Sequence, residues 1–280
     1  MTGVSVSDGK QKRSIRVRSV FISDIHLGTK SCRVDYLHSF LKQVDIEYLY
    51  LVGDIVDLWS LKKSLFWPQS HNNIVRLFLS KAKQGTRVIY IPGNHDATFR
   101  DFVGNAFGNL EIKRQAVHET VDGKKILVLH GDEFDCEIKC SAWLGFLGHH
   151  AYELVLSLNR RVNELRLRLG FSYWSLAAYL KSRAATAVKY IDRFERSAVM
   201  SAKRQGLDGV ICGHIHRSKI VDIEGIKYMN CGDWQESCTT LVEDYDGGIS
   251  LMHWSDKQHV IAGSDLSCDI LLGEPLDNAA

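Results

Sequence analysis

Apolar runs recur along the chain and, in five places, stop at Asp, Asn or His, usually beside glycine. Residues 17–28, VRSVFISDIHLG, read as a buried strand ending at Ser23-Asp24. Residues 33–46, RVDYLHSFLKQVDI, place apolar side chains at helical spacing, and 48–59, YLYLVGDIVDLW, form a second strand running into a polar turn. NNIVRLFLSKAKQG (72–85) predicts a helix closed by Gly85, and TRVIYIPGNHD (86–96) a third strand. Strand–helix–strand alternation of this kind implies parallel strands joined by helical crossovers.

The pattern then changes. In AVHETVDGKKILVLHGDEFD (116–135), Asp122-Gly123 is a hairpin signal between two alternating runs, so the sheet has an antiparallel part. Residues 140–204 read as helical without a strand signal. Strands return at DGVICGHIH, KIVDIEGIKYMNCGDW, CTTLVEDYDG and GISLMHW. A sheet that is interrupted and then resumes implies an insertion. The expected organisation is therefore a polar, basic and disordered tail at 1–16, one sandwich built from 17–139 and 205–255, a helical cap inserted at 140–204, and a loosely packed tail at 256–280.

Composition adds three limits. Across 280 residues, 45% are hydrophobic and 24% charged, as expected for a globular domain. The basic N-terminus lacks the apolar core of an export signal, and no stretch of ~20 apolar residues spans a bilayer. Seven cysteines, an odd number at scattered spacing, fit a reducing cytoplasm and buried thiols better than a disulfide framework. Cys136 and Cys140 have no second pair at zinc-finger spacing. Net charge is +2, but 12 basic and 4 acidic residues fall between Lys139 and Arg204, leaving the rest of the chain net negative.

The chemistry sits at the strand ends. VFISDIHLG, LYLVGDIVD, VIYIPGNHD, ILVLHGDEFD and GVICGHIHRS share one grammar, a β-type apolar run that empties into metal-compatible side chains. In α/β sheets, ligands bind outside the carboxyl ends of strands, where such residues collect. Asp24, His26, Asp54, Asn94, His130, His214 and His216 offer carboxylate, amide and imidazole donors without a thiol. That mixture suits a divalent ion such as Mn²⁺, Fe²⁺ or Zn²⁺. Seven donors exceed one tetrahedral site and match two ions sharing a carboxylate at ~3.5–4 Å.

In this order, DIH, GDIVD, GNHD, HGD and GHIH resemble the motif set of the calcineurin-like metallophosphoesterases. The resemblance spans residues 19 to about 235 without the insert. It implies an α/β fold, a four-layer αββα sandwich of mixed sheets with a helical cap insertion. It also implies roles. Asp24, His26 and His216 would hold one ion, with Asp54 bridging, and Asn94, His130 and His214 the other. His95 would face the substrate phosphate, oriented by Asp57. Two divalent ions, Mn²⁺ first, would neutralise the phosphate and supply hydroxide for in-line attack.

Within the family the chain is most similar to the UDP-2,3-diacylglucosamine pyrophosphatases of lipid A synthesis and their related branch. The features are SDIHLG, a basic-aromatic insert after HGDEFD, and YMNCGDWQESCTTLVE after the last motif. This implies cleavage of a UDP-linked acylated sugar to UMP and a lipid monophosphate at the cytoplasmic face of the inner membrane. One departure stands out: the best-known members read Gly-Asn-Arg-Asp where this chain has His95. A metal-dependent phosphodiesterase or phosphatase acting on nucleotides, nucleic acid or phosphoprotein is the alternative.

The insert is rich in large apolar residues, among them Trp143, Phe146, Phe171 and Trp174, mixed with arginines. It reads either as a helical subdomain or dimer interface, or as a cap whose basic face meets an anionic headgroup or membrane surface. Its apolar bulk disfavours a groove for nucleic acid. His71, His118, His149, His150 and His253 belong to no block and are read as ordinary. Asp96 and Asp132 are read as supporting hydrogen-bond partners or loop carboxylates, and Asp233 as a turn residue.

Overall fold

The computed structural model describes residues 15–136, 163, 166, 168–169, 185–255 and 259–262. The first half runs β1 (Ile15–Ile22), α1 (Val34–Gln43), β2 (Val44–Val52), α2 (Leu58–Lys63), α3 (Gln69–Lys83), β3 (Arg87–Ile91), β4 (Ala106–Phe107), β5 (Leu110–Ile112), β6 (Ala116–Glu119) and β7 (Lys125–Val128). After a 3-10 turn at Asp132–Cys136 come α4 (Ala185–Arg204), β8 (Gly209–Cys212), β9 (Lys219–Ile223), β10 (Ile226–Asn230), β11 (Thr239–Glu243), β12 (Ile249–His253) and β13 (His259–Ala262).

The strands form two mixed sheets. One has the order β13-β12-β11-β1-β2-β3-β5-β4, and the other β6-β7-β8-β10-β9. In the first, β1, β2, β3 and β5 are parallel and β11 runs antiparallel to β1. In the second, β7, β8 and β10 are parallel, flanked by antiparallel β6 and β9. The predicted hairpin at Asp122-Gly123 joins β6 to β7, with Gly123 at φ 81°.

Three apolar clusters define the layers. Leu37, Phe40 and Leu41 of α1 and Ile74 and Phe78 of α3 pack on the outer face of the first sheet. Alternate residues of the same strands, Phe21, Tyr50, Val52, Ile89 and Ile91, meet Ile126, Val128, Ile211 and Met229 of the second sheet. Phe194, Ala198 and Ala202 of α4, at helical i, i+4, i+8 spacing, pack on Leu127, Val210 and Tyr228 behind the second sheet. Both faces of each sheet are thus covered, giving the helix–sheet–sheet–helix order expected from the sequence. Continuous apolar strands such as YLYLV are the signature of a sheet buried on both sides.

Two boundaries differ from the pattern reading. The helix predicted through Ile46 ends at Gln43, and β2 starts at once with Val44. Val44 and Ile46 are buried while Asp45 and Glu47 are exposed, so the period switches from helical to two at that point. Within the stretch read as a tail, β13 pairs with β12. Of the stretch 140–204, α4 supplies the fourth layer. Apart from α4, Asn163, Arg166, Arg168 and Leu169, that stretch lies outside the described residues, as do 1–14 and 263–280. Among the described residues, no helix is long and apolar enough to cross a membrane.

Candidate metal centre

The five blocks leave the carboxyl ends of β1, β2 and β3 in one sheet and of β7 and β8 in the other. All five strands are parallel to a neighbour, so their tips gather at one edge of the sandwich. The tips are knitted together by main-chain bonds. Asp24 N–H donates to Gly53 O (3.0 Å), His26 N–H to Asp54 O (2.9 Å) and Gly213 N–H to His130 O (3.1 Å). Side chains continue the knitting: His214 N–H donates to Asp24 Oδ2 (2.9 Å) and His95 N–H to Asp54 Oδ1 (2.8 Å).

The backbone is strained where it delivers the donors. Asp24, His26, Asp54, His214 and His216 all lie in the left-handed region, at φ 52°, 54°, 53°, 67° and 51°. Non-glycine residues rarely adopt it, at a cost of about 1–3 kcal/mol each, and such strain clusters at functional sites. The glycines of the blocks answer to crowding as well. A Cβ on Gly53, itself at φ 78°, would fall on the His130 ring, and one on Gly213 would fall on Asp24 Oδ2 and the Ser23 side chain. Gly53 and Gly213 thus leave room for donors delivered from other strands.

The side chains converge as two sets. Asp24, His26 and His216 bring one donor atom each within 4.8 Å of one another, as do Asp54, His130 and His214. His26 Nε2 lies 3.3 Å from His216 Nε2 and 3.9 Å from both Asp24 Oδ1 and Asp54 Oδ2. His130 Nε2 lies 3.4 Å from Asp54 Oδ2 and 3.3 Å from Asn94 Oδ1. Asp54 therefore stands between the sets, within reach of His26 on one side and His130 on the other. A third set, His26, Asp57 and His95, adjoins the first. The structure thus brings together all nine residues singled out in the sequence.

These residues fit divalent cations. Asp24 Oδ1 is buried without a properly formed hydrogen bond, although His216 Nε2 is 3.1 Å away. The two imidazole nitrogens 3.3 Å apart, which can share one proton between them, are ringed by carboxylates, a donor set that a divalent cation would also satisfy. Electrostatics shows the same demand. Burial alone would raise the Asp24 carboxyl, but His216 outweighs it and holds Asp24 at about 2. Burial opposes charge on His26, yet Asp57, Asp54 and Asp24 raise it to about 9. Asp54 is held well below its ordinary value and His130 well above, in each case against burial, by their mutual attraction. A cation among these carboxylates would supply that positive charge, with the imidazoles as neutral ligands.

Residues 17–218 match the calcineurin-like phosphoesterases. The chain belongs to that family. It is a metal-dependent phosphoesterase with a site for divalent cations. Among curated relatives, the UDP-2,3-diacylglucosamine hydrolase of Neisseria gonorrhoeae is 26% identical over 243 residues, covering 82% of this chain and 96% of that protein. The same-named protein of Haemophilus influenzae is 26% identical over 253 residues, again covering 82% and 96%. That of Blochmanniella pennsylvanica is 28% identical over 173 residues, and there this chain spans only 62% of the relative's length. Among solved structures, the phosphoesterase Yfce of E. coli aligns over 88% of this chain and 97% of its own, at 15% identity and TM-score 0.44.

Several residues around this family site act through others. Asp96, buried, accepts from Gly93 N (2.6 Å), Ile55 N (2.8 Å) and the Tyr90 hydroxyl (2.5 Å), clamping the tip of β3 to that of β2. Asp132 receives Arg100 at 2.7 and 2.8 Å. Asp233 accepts from the amides of Gln235 and Glu236, closing a turn. His71 accepts from Gly28 N (3.0 Å) and is a buried structural residue. Two neighbours were not singled out in the sequence. Trp59, half-exposed, packs its ring on His95 with centroids 4.2 Å apart, and Asp135 lies 2.9 Å from His214 Nε2. Trp59 follows GDIVD by two positions and Asp135 closes HGDEFD, so proximity to the blocks is the only signal either carries.

Proposed function

We propose that this phosphoesterase hydrolyses the pyrophosphate bond of a UDP-linked acylated sugar, releasing UMP and a lipid monophosphate of the lipid X type. The convergence of Asp24, His26, Asp54, Asn94, His130, His214 and His216 from two sheets onto one edge carries the reaction class. The substrate rests on relatives named UDP-2,3-diacylglucosamine hydrolase and on the basic-aromatic composition of residues 140–204. The part of that stretch ahead of α4, most of which lies outside the described residues, would as a cap receive the acyl chains and meet the cytoplasmic face of an anionic membrane.

Asp24, His26 and His216 would hold one cation and Asn94, His130 and His214 the other, with Asp54 shared. Two divalent cations there, Mn²⁺ first with Fe²⁺ or Zn²⁺ also suited to the donors, would neutralise phosphate charge and make water acidic enough to serve as nucleophile at neutral pH. The chain's own contribution is positional. Asp57 Oδ2 lies 3.1 Å from His95 Nδ1 without a properly formed hydrogen bond, and its charge would favour a proton on that nitrogen and leave Nε2 for the substrate. The Trp59 ring and the edge-on His26 ring, 4.7 Å away, hold the imidazole in place. A protonated His95 stabilises charge on the leaving oxygen and donates its Nε2 proton there, a contribution of about 10²–10⁴-fold.

One observation favours a second reading. Histidine at position 95, paired with Asp57, follows the wider family rather than the Gly-Asn-Arg-Asp pattern of the best-known lipid A enzymes. It suits a phosphodiesterase or phosphatase acting on nucleotides, nucleic acid or phosphoprotein. Phosphorus NMR of the products from UDP-2,3-diacylglucosamine with added Mn²⁺ separates the two. UMP and a sugar 1-phosphate are expected; good turnover of a simple aryl diester without UMP release would replace the first reading with the second.

A further inference from the structure

Two of the clustered histidines share one arrangement. In each, one ring nitrogen is held by a protein acceptor and the other is turned to the cluster. His26 Nδ1 faces Asp57 Oδ2 at 3.2 Å while Nε2 faces His216. His130 Nδ1 faces Val52 O at 3.0 Å while Nε2 faces Asn94 and Asp54. In His214 it is Nε2 that a protein acceptor takes, Asp135 Oδ2 at 2.9 Å. The other oxygen, Asp135 Oδ1, accepts from the Tyr190 hydroxyl at 2.6 Å.

The support behind this pair is firm. Asp135 lies on the 3-10 turn that follows His130, next to buried Phe134. Tyr190 lies on α4 one turn before Phe194, and residues four apart share a helix face. Phe194 is fully buried, packs edge-on against Phe134 with centroids 5.6 Å apart, and lies 6.0 Å from the His214 ring. Its ring is so close to Gly131 that a Cβ there would come within 2.6 Å. The outer helix is thus pressed against the loop that bears His130.

We propose that Asp135, held by Tyr190, is a positioning residue for the second cation: it fixes His214 with the proton on Nε2 and presents Nδ1 as the donor. This rests on the phosphoesterase reading above. An unpaired imidazole populates both tautomers and turns about χ2, whereas a carboxylate on the outer nitrogen selects one and makes the inner nitrogen more basic. Asp135 is 47% exposed, so the carboxylate alone would be mobile, and the Tyr190 hydroxyl gives it a fixed direction. The arrangement makes α4, the outer layer of the sandwich, part of the machinery that shapes the site.

The test is Mn²⁺ binding to the full-length protein, followed by the electron paramagnetic resonance of free Mn²⁺, for wild type, Asp135→Ala, Asp135→Asn and Tyr190→Phe. Wild type is expected to bind two ions. Asp135→Ala is expected to weaken one of them about 10–100-fold and leave the other unchanged. Asparagine, which still offers an oxygen to Nε2–H, should recover much of the loss, and Tyr190→Phe should show a smaller weakening. ¹⁵N correlation spectra of the Zn²⁺-loaded protein should show His214 coordinated through Nδ1. Unchanged affinity for both ions in Asp135→Ala, or coordination of His214 through Nε2, overturns the proposal while the enzyme reading stands. Wild type that binds no divalent ion overturns both.

Discussion

Asp57 shows how much one side chain does at this edge. Its Oδ1 accepts from Ser60 N at 2.7 Å and caps α2, while Oδ2 faces both His26 and His95. Burial opposes its charge, but the two histidines hold its carboxyl well below the ordinary range. His95 and His26 therefore face one carboxylate, His26 alone through a hydrogen bond, yet the proposed roles separate them. His95→Ala is expected to lower kcat about 10²–10⁴-fold while Mn²⁺ content, measured by elemental analysis, stays at the wild-type level. Loss of both ions in that variant would make His95 a ligand instead. Asp54→Ala should lose bound metal together with activity, and full occupancy would refute its position between the ions. Donor residues were legible because seven oxygen- and nitrogen-bearing side chains rarely fall at five strand ends by chance. Asp135 and Trp59 were not, since a turn carboxylate and a half-exposed tryptophan are commonplace on protein surfaces.

At the scale of elements, the strand tips matter more than the strands. Glycines in the blocks were visible as punctuation, but the reason for them is tertiary: Gly53 gives way to His130 and Gly213 to Asp24, contacts between segments more than 70 residues apart. The left-handed backbone at five donors was equally hidden, because no local pattern marks a strained aspartate or histidine. Asp96 shows the same limit. The sequence marks it as a supporting carboxylate, whereas only the fold shows that it joins two loops. Asp96→Ala would leave the buried amides of Ile55 and Gly93 and the Tyr90 hydroxyl without an acceptor. At about 1–3 kcal/mol for each buried group left unpaired, a loss of roughly 3 kcal/mol or more is expected in urea unfolding. A loss below ~1 kcal/mol would show that the loops hold without the clamp. The helix-to-strand boundary at Val44 was missed because Val44 and Ile46 satisfy a helical and an alternating period alike.

The whole molecule is stabilised by a second polar centre between the sheets. There the buried Glu243 accepts from Arg18 (2.7 Å) and Ser19 (2.5 Å) and faces His118 Nε2 (2.9 Å), whose Nδ1 faces the Tyr50 hydroxyl (3.0 Å). His118, ordinary by sequence, ties the second sheet to the first. Burial opposes the Glu243 charge, but His118, Ser19 and Arg18 outweigh it and lower its pKa from the ordinary 4.5. The unfolded chain therefore takes up this proton more readily. The stabilisation is complete above pH 4.5 and is lost as pH falls through the lowered folded-state value. Glu243→Gln should accordingly show a weaker loss of stability than wild type between pH 4.5 and lower values in urea titrations, and parallel curves would contradict the assignment. Parallel strands joined by helices, an antiparallel part and one edge of gathered strand tips were legible in the alternation of apolar runs and turns, whereas the four layers and two sheets were expected only from the motif resemblance. Strand order was not, because it depends on pairings such as β1 with β11, separated by some 220 residues. The most direct measurement of the central claim is anomalous diffraction at the manganese edge from crystals grown with Mn²⁺. Two peaks ~3.5–4 Å apart are expected, one beside Asp24, His26 and His216 and one beside Asn94, His130 and His214, with Asp54 touching both. Density at neither position, or a single ion remote from these side chains, would contradict the account.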